Sequence, residues 1–216
     1  MSDASRDGAP RSNLWPVAVF TLCYLVGSVV GAFARGNFEF VIYIVVMLVL
    51  IAVVMAVHRR VGFSIGLLWC LSIWGLLHMA GGLVPVPQSW PIDGEIRVLY
   101  SWWIVPERLK YDQVVHAAGF AVTTWACWQA LQAGMASRLG AAKSEVRPTV
   151  GFLVLCAMGG MGFGALNEVI EFTATLLVAE TNVGGYVNTG WDLVSNLTGS
   201  TLAAVAIYLM QSARNG

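Results

Sequence analysis

Residues 40–57, "FVIYIVVMLVLIAVVMAV", run for 18 positions without one charged side chain. A helix built from them has no polar face to turn to water. Uncharged runs of about this length span a bilayer hydrocarbon core of about 30 Å. Comparable stretches recur along the chain, and the reading is six spans, at 14–34, 38–57, 61–84, 111–134, 149–173 and 190–210. Composition agrees. Charged residues make up 11% of the chain and mean hydropathy is +0.71, whereas soluble domains carry about 25% charge. The expected fold class is all-α, a polytopic transmembrane helix bundle in contact with the lipid bilayer. It forms a single domain over 14–210, followed by a short tail at 211–216. The formal net charge is zero, which gives no electrostatic reason to expect a nucleic-acid partner.

The first 13 residues, "MSDASRDGAPRSN", are polar and expected to be disordered. The apolar stretch after them is too long for a signal-peptide core and lacks an evident small-residue cleavage site, so it reads as a retained first span. Cys23, Cys70, Cys127 and Cys156 stand singly in apolar runs with no CxxC. They read as buried apolar side chains.

One connection is long. Residues 85–110 contain four prolines and the aromatics Trp90, Tyr100, Trp102 and Trp103. Indole and phenol rings favour the headgroup layer, so this segment is expected to lie on the membrane surface with a short interfacial helix. Basic residues set the orientation. With both ends on one side, that side carries Arg6, Arg11, Arg59, Arg60, Arg138, Lys143, Arg147 and Arg214, and the other carries Arg35, Arg97, Arg108 and Lys110. Eight against four places both termini in the cytoplasm. His58, beside Arg59 and Arg60, joins that inner charge, and Glu39 and Glu180 are expected to be solvated at the outer interface.

Six ionisable side chains then reach similar depth near the outer face. They are His78 on the third span, Asp112 and His116 on the fourth, Glu168 and Glu171 on the fifth, and Asp192 on the sixth. Asp112 and His116 share a helix face at i,i+4, as do Asp192 and Asn196, and Glu168 and Glu171 share one at i,i+3. Small residues flank them, including Gly81, Gly82, Ala117, Ala118, Gly119 and "GGMGFGA" at 159–165. These allow membrane helices to approach closely. An acidic side chain at mid-membrane costs about 2.5–3.5 kcal/mol on insertion scales. Several together call for partners or a shared cation, because like charges oppose one another's ionisation. Taken singly, each has an ordinary explanation. Asp112 could cap a helix, Asp192 could answer a helix dipole, and Asn196 could bond a neighbouring helix. The "NLT" sequon at 196–198 lies inside a span and is discounted.

Two imidazoles with several carboxylates form an N/O ligand set suited to a divalent metal such as Zn, Fe or Mn. His78, His116, Glu171 and Asp192 are the candidate ligands. Glu168 and Asp112 are the candidate catalytic carboxylates, one of them acting as base toward a metal-bound water. The chain has no HExxH, HxxxH or Glu-x-x-His. Three functions compete. The first is a metal-dependent enzyme acting on a lipid or lipid-linked substrate, with 85–110 as its lid. The second is a proton or cation transporter, against which the inner halves of spans four to six offer few polar groups beyond Thr123, Thr124 and Gln129. The third is an accessory protein whose polar cluster only orders the helices.

The elements "LHMAGG", "YDQVVHAAGF", "NEVIEF" and "WDLVSNLTGS", in this order, resemble the YjdF-like (DUF2238) family of small bacterial inner-membrane proteins. The resemblance covers roughly residues 37 to 210. It implies an H-x-x-G element at His78 and Gly81, a Y-D-x-x-x-H element at Tyr111, Asp112 and His116, an E-x-x-E element at Glu168 and Glu171, and a W-D element at Trp191 and Asp192. Gln113 stands where the pattern has a basic residue, and Asn196 where it has a last aspartate. The element order is also similar to the VanZ-like group. The resemblance implies an inner-membrane location and supports the site residues, but brings no established reaction.

Overall fold

The computed structural model describes residues 13–36, 38–178, 181 and 183–212. Almost all of the expected polar tail, the end of the C-terminal tail, Arg6, Arg11, Arg214 and Glu180 lie outside the described residues. Among the described residues six α-helices follow one another: α1 (Trp15–Arg35), α2 (Phe38–Val61), α3 (Ile65–Leu83), α4 (Tyr111–Leu139), α5 (Val150–Leu177) and α6 (Tyr186–Ser212).

The ends of these helices follow from local chemistry. Pro16 sits in the first turn of α1, where its missing N–H costs nothing. Gly36 and Gly140 close α1 and α4 at φ 62° and 63°, the left-handed conformation that favours glycine. The Ser64 and Thr149 hydroxyls accept from Leu67 N and Phe152 N, both at 3.3 Å, and start α3 and α5.

Among the described residues, five helices are long and apolar enough to cross a membrane; α4 has the length but not the composition. Its polar residues are partnered because of where it sits. It packs on α6, α5 and α3 and touches α2, so its polar groups meet protein. Gln113, His116 and Thr124 are all buried on it. On the far side α1 packs on α3 and α2, where Ala32, Phe40, Tyr43, Ile44, Met47, Met79 and Leu83 share one core cluster. Val26, Val30, Leu48, Leu155, Phe172 and Leu209 are exposed on outward helix faces, as lipid contact requires.

The segment between α3 and α4 is a folded cap containing more than the expected short helix. A 3₁₀ turn at Leu99–Ser101 leads into β1 (Trp103–Val105), paired antiparallel with β2 (Leu109–Lys110), and Trp103 faces Lys110. Bridges Pro85–Val98 and Ile92–Trp102 close the rest. One guanidinium nitrogen of Arg97 donates to the carbonyls of Pro87, Gln88 and Trp90 at 2.7, 3.0 and 2.8 Å. The Trp90 and Trp102 rings lie 4.3 Å apart.

Two expectations change on packing. Glu39, taken for a solvated interfacial residue, is buried at 4% exposure. The first turn of α2 faces the bundle, and Glu39 meets Tyr43 one turn on by a side-chain hydrogen bond. Of the cysteines, only Cys156 is fully buried, and Cys23 is exposed on α1.

Candidate functional site

The first turns of α4 place Asp112 and His116 on one face. The Gln113 side chain accepts from Lys110 N at 3.0 Å and fixes the helix start. α5 presents Glu168 and Glu171. α6 presents a column with a four-residue period, Asn188, Asp192, Asn196 and Ser200, and the last three are at most 1% exposed.

These three helices meet at His116, itself 5% exposed. Its Nδ1 lies 3.1 Å from Asn196 Oδ1 and 3.7 Å from Glu168 Oε1. Its Nε2 lies 3.5 Å from Asp112 Oδ1 and 3.9 Å from Glu171 Oε1. Both ring nitrogens therefore face oxygen acceptors. A neutral imidazole carries one N–H and one lone pair. With Asn196 Oδ1 accepting from Nδ1, the lone pair sits on Nε2 and points toward two carboxylates. That contact is repulsive unless a proton or a cation lies between them.

The surrounding acids are only partly satisfied. Asn167 donates to Glu171 Oε1 at 2.7 Å. Asn188 donates to Asp192 Oδ2 at 2.6 Å and reaches Asp112 Oδ2 at 3.5 Å. Among the described residues, Glu168 Oε1, Asp192 Oδ1 and Asn196 Nδ2 are buried with no hydrogen-bond partner. Two ligand groups overlap at the imidazole, Asp112–His116–Asp192 and His116–Glu168–Glu171. In each, one donor atom per residue lies within 4.8 Å of the others.

His78 stands apart from both groups. Its Nδ1 is 2.5 Å from the Tyr100 hydroxyl of the cap, and the rings of Tyr43, Trp74 and Tyr100 surround it at 5.7–5.9 Å. Burial, reinforced by the carboxylates of Asp112 and Glu171, pushes the Tyr100 phenol well above its usual range. Tyr100 therefore keeps its proton and donates to His78 Nδ1, which places the imidazole proton on Nε2. Gly81 makes room for this pair, since a Cβ there would lie 2.4 Å from the Tyr100 ring.

Lys110 is part of the assembly too, although its sequence suggested only an outer basic residue. It is 7% exposed, donates to Asn188 Oδ1, and lies 3.3 Å from Asp93 Oδ2. A cavity of about 600 Å³ opens beside it, lined by Asp93, Glu95, Tyr100, Lys110, Asp112 and Asn188 among others. Asp112 thus joins the buried cluster to an opening under the cap. Sequence reasoning missed Lys110, Asn188, Asn167 and Tyr100. The period-four column on α6 was a usable signal for Asn188; the other three depend on tertiary packing.

The match to the family of predicted membrane proteins designated DUF2238 runs over residues 16–213. The chain belongs to this family. No curated protein and no solved structure matches it. The family description carries membrane character and no reaction, so chemistry must be argued from the cluster itself.

Proposed function

We propose that this DUF2238 protein holds a divalent metal ion at His116 and uses it for metal-assisted hydrolysis of an ester or phosphoester in a lipid or lipid-linked substrate. One observation carries the reading: His116 Nε2 faces carboxylate oxygens of Asp112 and Glu171 at 3.5 and 3.9 Å. An ion with bonds of about 2.1 Å in tetrahedral array separates its ligand atoms by about 3.4 Å. These separations are therefore a slightly open version of a coordination edge, too long for hydrogen bonds. His116, Asp112 and Asp192, which form one close group, are the ligands in this reading, and Glu171 of the neighbouring group, 3.9 Å from Nε2, completes the set by closing on the ion. Asn196 fixes the imidazole tautomer from behind. Glu168, whose Oε1 has no hydrogen-bond partner, would be the base toward a water that such an ion, when bound, would acidify. His78, bonded to Tyr100, supports the cap.

In the same reading α4 is a sixth span, shielded from lipid by its neighbours. Both termini lie in the cytoplasm, the membrane is the bacterial inner membrane, and the cap covers the outer face. The acid-lined cavity under the cap is the entrance, where Asp93 and Glu95 favour cation entry.

Transport is the weaker alternative because of what lies beneath the site. Thr124 and Ser200 are wholly buried, and both hydroxyls bond Phe120 O, at 2.8 and 3.4 Å. Gly160 packs against both hydroxyls. That seam is closed, which suits a one-sided site better than a pathway.

The test is elemental analysis of detergent-purified protein beside folded His116→Ala and Glu171→Gln variants. Near-stoichiometric zinc, iron or manganese that both variants lose, while His78→Asn keeps it, supports the reading. Wild-type protein that stays metal-free after incubation with each metal overturns it, and a structural cluster then remains.

A further inference from the structure

At the opposite end of α4 lies a larger cleft, about 1020 Å³. It sits at the upper end of the roughly 300–1,000 Å³ of small-molecule sites. α4 forms its floor, α6 forms one wall, and the α2–α3 turn with the α4–α5 connection closes the rim. It shares no residue with the cluster around His116.

Its lining is graded along the helix axes. Ala121, Val122 and Ala203 lie at its deep end, and Gln129, Gln132 and Lys143 toward the helix ends. From Ala121 to Gln132 the floor is about 16 Å long at 1.5 Å per residue, about half of a 30 Å hydrocarbon core. Apolar depth matched to one leaflet, with a polar rim at the interface, is the chemistry of an acyl chain and its headgroup.

The rim is also positive. The Lys143 ammonium donates to Val61 O, and to Gly62 O at 3.1 Å, leaving one N–H. No carboxylate pairs with it among the described residues. Arg59 and Arg60 end the adjoining helix and are exposed. Gln129 is held by Ser64, accepting from its N–H at 2.8 Å and donating to its hydroxyl at 2.9 Å. The polar end of the cleft is therefore preorganised.

We propose that this cleft binds one anionic phospholipid of the facing leaflet, with an acyl chain between α4 and α6 and the phosphate at Lys143. The site is independent of any metal at His116.

Native mass spectrometry of delipidated protein, incubated in turn with phosphatidylglycerol and phosphatidylcholine, tests this. The variants are Lys143→Gln, which removes the charge, and Ala206→Trp, which fills the cleft from an exposed position on α6. The wild type should retain one phosphatidylglycerol in preference to phosphatidylcholine. Lys143→Gln should weaken phosphatidylglycerol retention about fivefold, and Ala206→Trp should abolish retention of both lipids. Circular dichroism confirms that the variants fold. Equal retention by wild type and folded Ala206→Trp overturns the proposal, and so does a wild type that holds both lipids equally.

Discussion

Gly199→Ala is the sharpest perturbation of the α4–α6 seam that the site depends on. A Cβ at Gly199 would stand 1.9 Å from Ala117 O, 2.7 Å from its carbonyl carbon and 2.9 Å from its Cα. All three are backbone atoms, so no rotamer change relieves the clash. The carbonyl contact is about 1.5 Å short of the ordinary 3.4 Å, and the two helices must part locally by a distance of that order. Asn196 lies three residues away on α6 and His116 adjoins Ala117 on α4. Their 3.1 Å hydrogen bond cannot survive such a displacement. Overpacking costs about 1–3 kcal/mol, and loss of a buried hydrogen bond adds about 1 kcal/mol. The expected destabilisation is therefore about 2–4 kcal/mol. Gly162→Ala on α5 is the control. Nothing lies within 4 Å of its Cβ, and helix propensity alone favours alanine by up to about 1 kcal/mol. Unfolding in mixed micelles with increasing sodium dodecyl sulfate, followed by far-UV circular dichroism, reads both. If Gly199→Ala unfolds at the same denaturant fraction as Gly162→Ala, the seam is not as close as described and the reasoning fails.

Two further outcomes follow from the polar groups. Tyr100→Phe removes the bond to His78 and should cost about 1 kcal/mol without changing metal content. The raised phenol also sets a sign: the unfolded chain ionises Tyr100 above about pH 10 while the folded protein resists. The stability tied to this group should be intact below pH 10 and fall above it, and the variant should show a shallower fall in the same denaturant assay. Asn188→Ala takes a partner from Lys110 and from Asp192 at once. Hydrogen bonds to charged groups contribute about 1.5–3 kcal/mol each, so a loss below about 0.5 kcal/mol in thermal unfolding would mean that Asn188 does not bridge them.

The helices were legible because their signal is length and apolarity. The expected spans at 14–34, 38–57 and 61–84 lie within four residues of α1, α2 and α3 at every end. The later helices also extend: α4 runs five residues past its expected end at 134, α5 runs four past 173, and α6 starts four before 190 and ends two past 210. Polar or small residues such as Ser137 and Asn188 continue a helix at an interface without any hydropathy signal. The cap was least legible. The loop ahead of its two short strands is held by Arg97 on three carbonyls and by a Trp90–Trp102 stack, and these contacts appear only once the segment has folded back on itself.

Within the site, periodicity placed Asp112, His116, Glu168, Glu171 and Asp192 on faces that do converge. It could not assign His78 a partner. A histidine at the end of an apolar helix reads alike whether it meets an ion or a phenol, and Tyr100 reaches it only because Gly81 lacks a Cβ. The same limit hid Glu39 and Lys110, whose charges look solvated until the bundle closes over them. The glycines carried more information than their flexibility suggests. Gly164 lies against Asn196, Gly160 against Thr124 and Ser200, and Gly199 against the Ala117 backbone. The first two remove a Cβ on α5 where a polar residue of the α6 column must lie flush, and the third lets α6 itself close on the α4 backbone. A helix that spaces buried polar groups every four residues needs small residues opposite them, or its hydrogen bonds cannot reach across. The small-residue runs and the polar column are thus two halves of one requirement. Together they explain how a chain this apolar can keep four carboxyl side chains around a single buried imidazole.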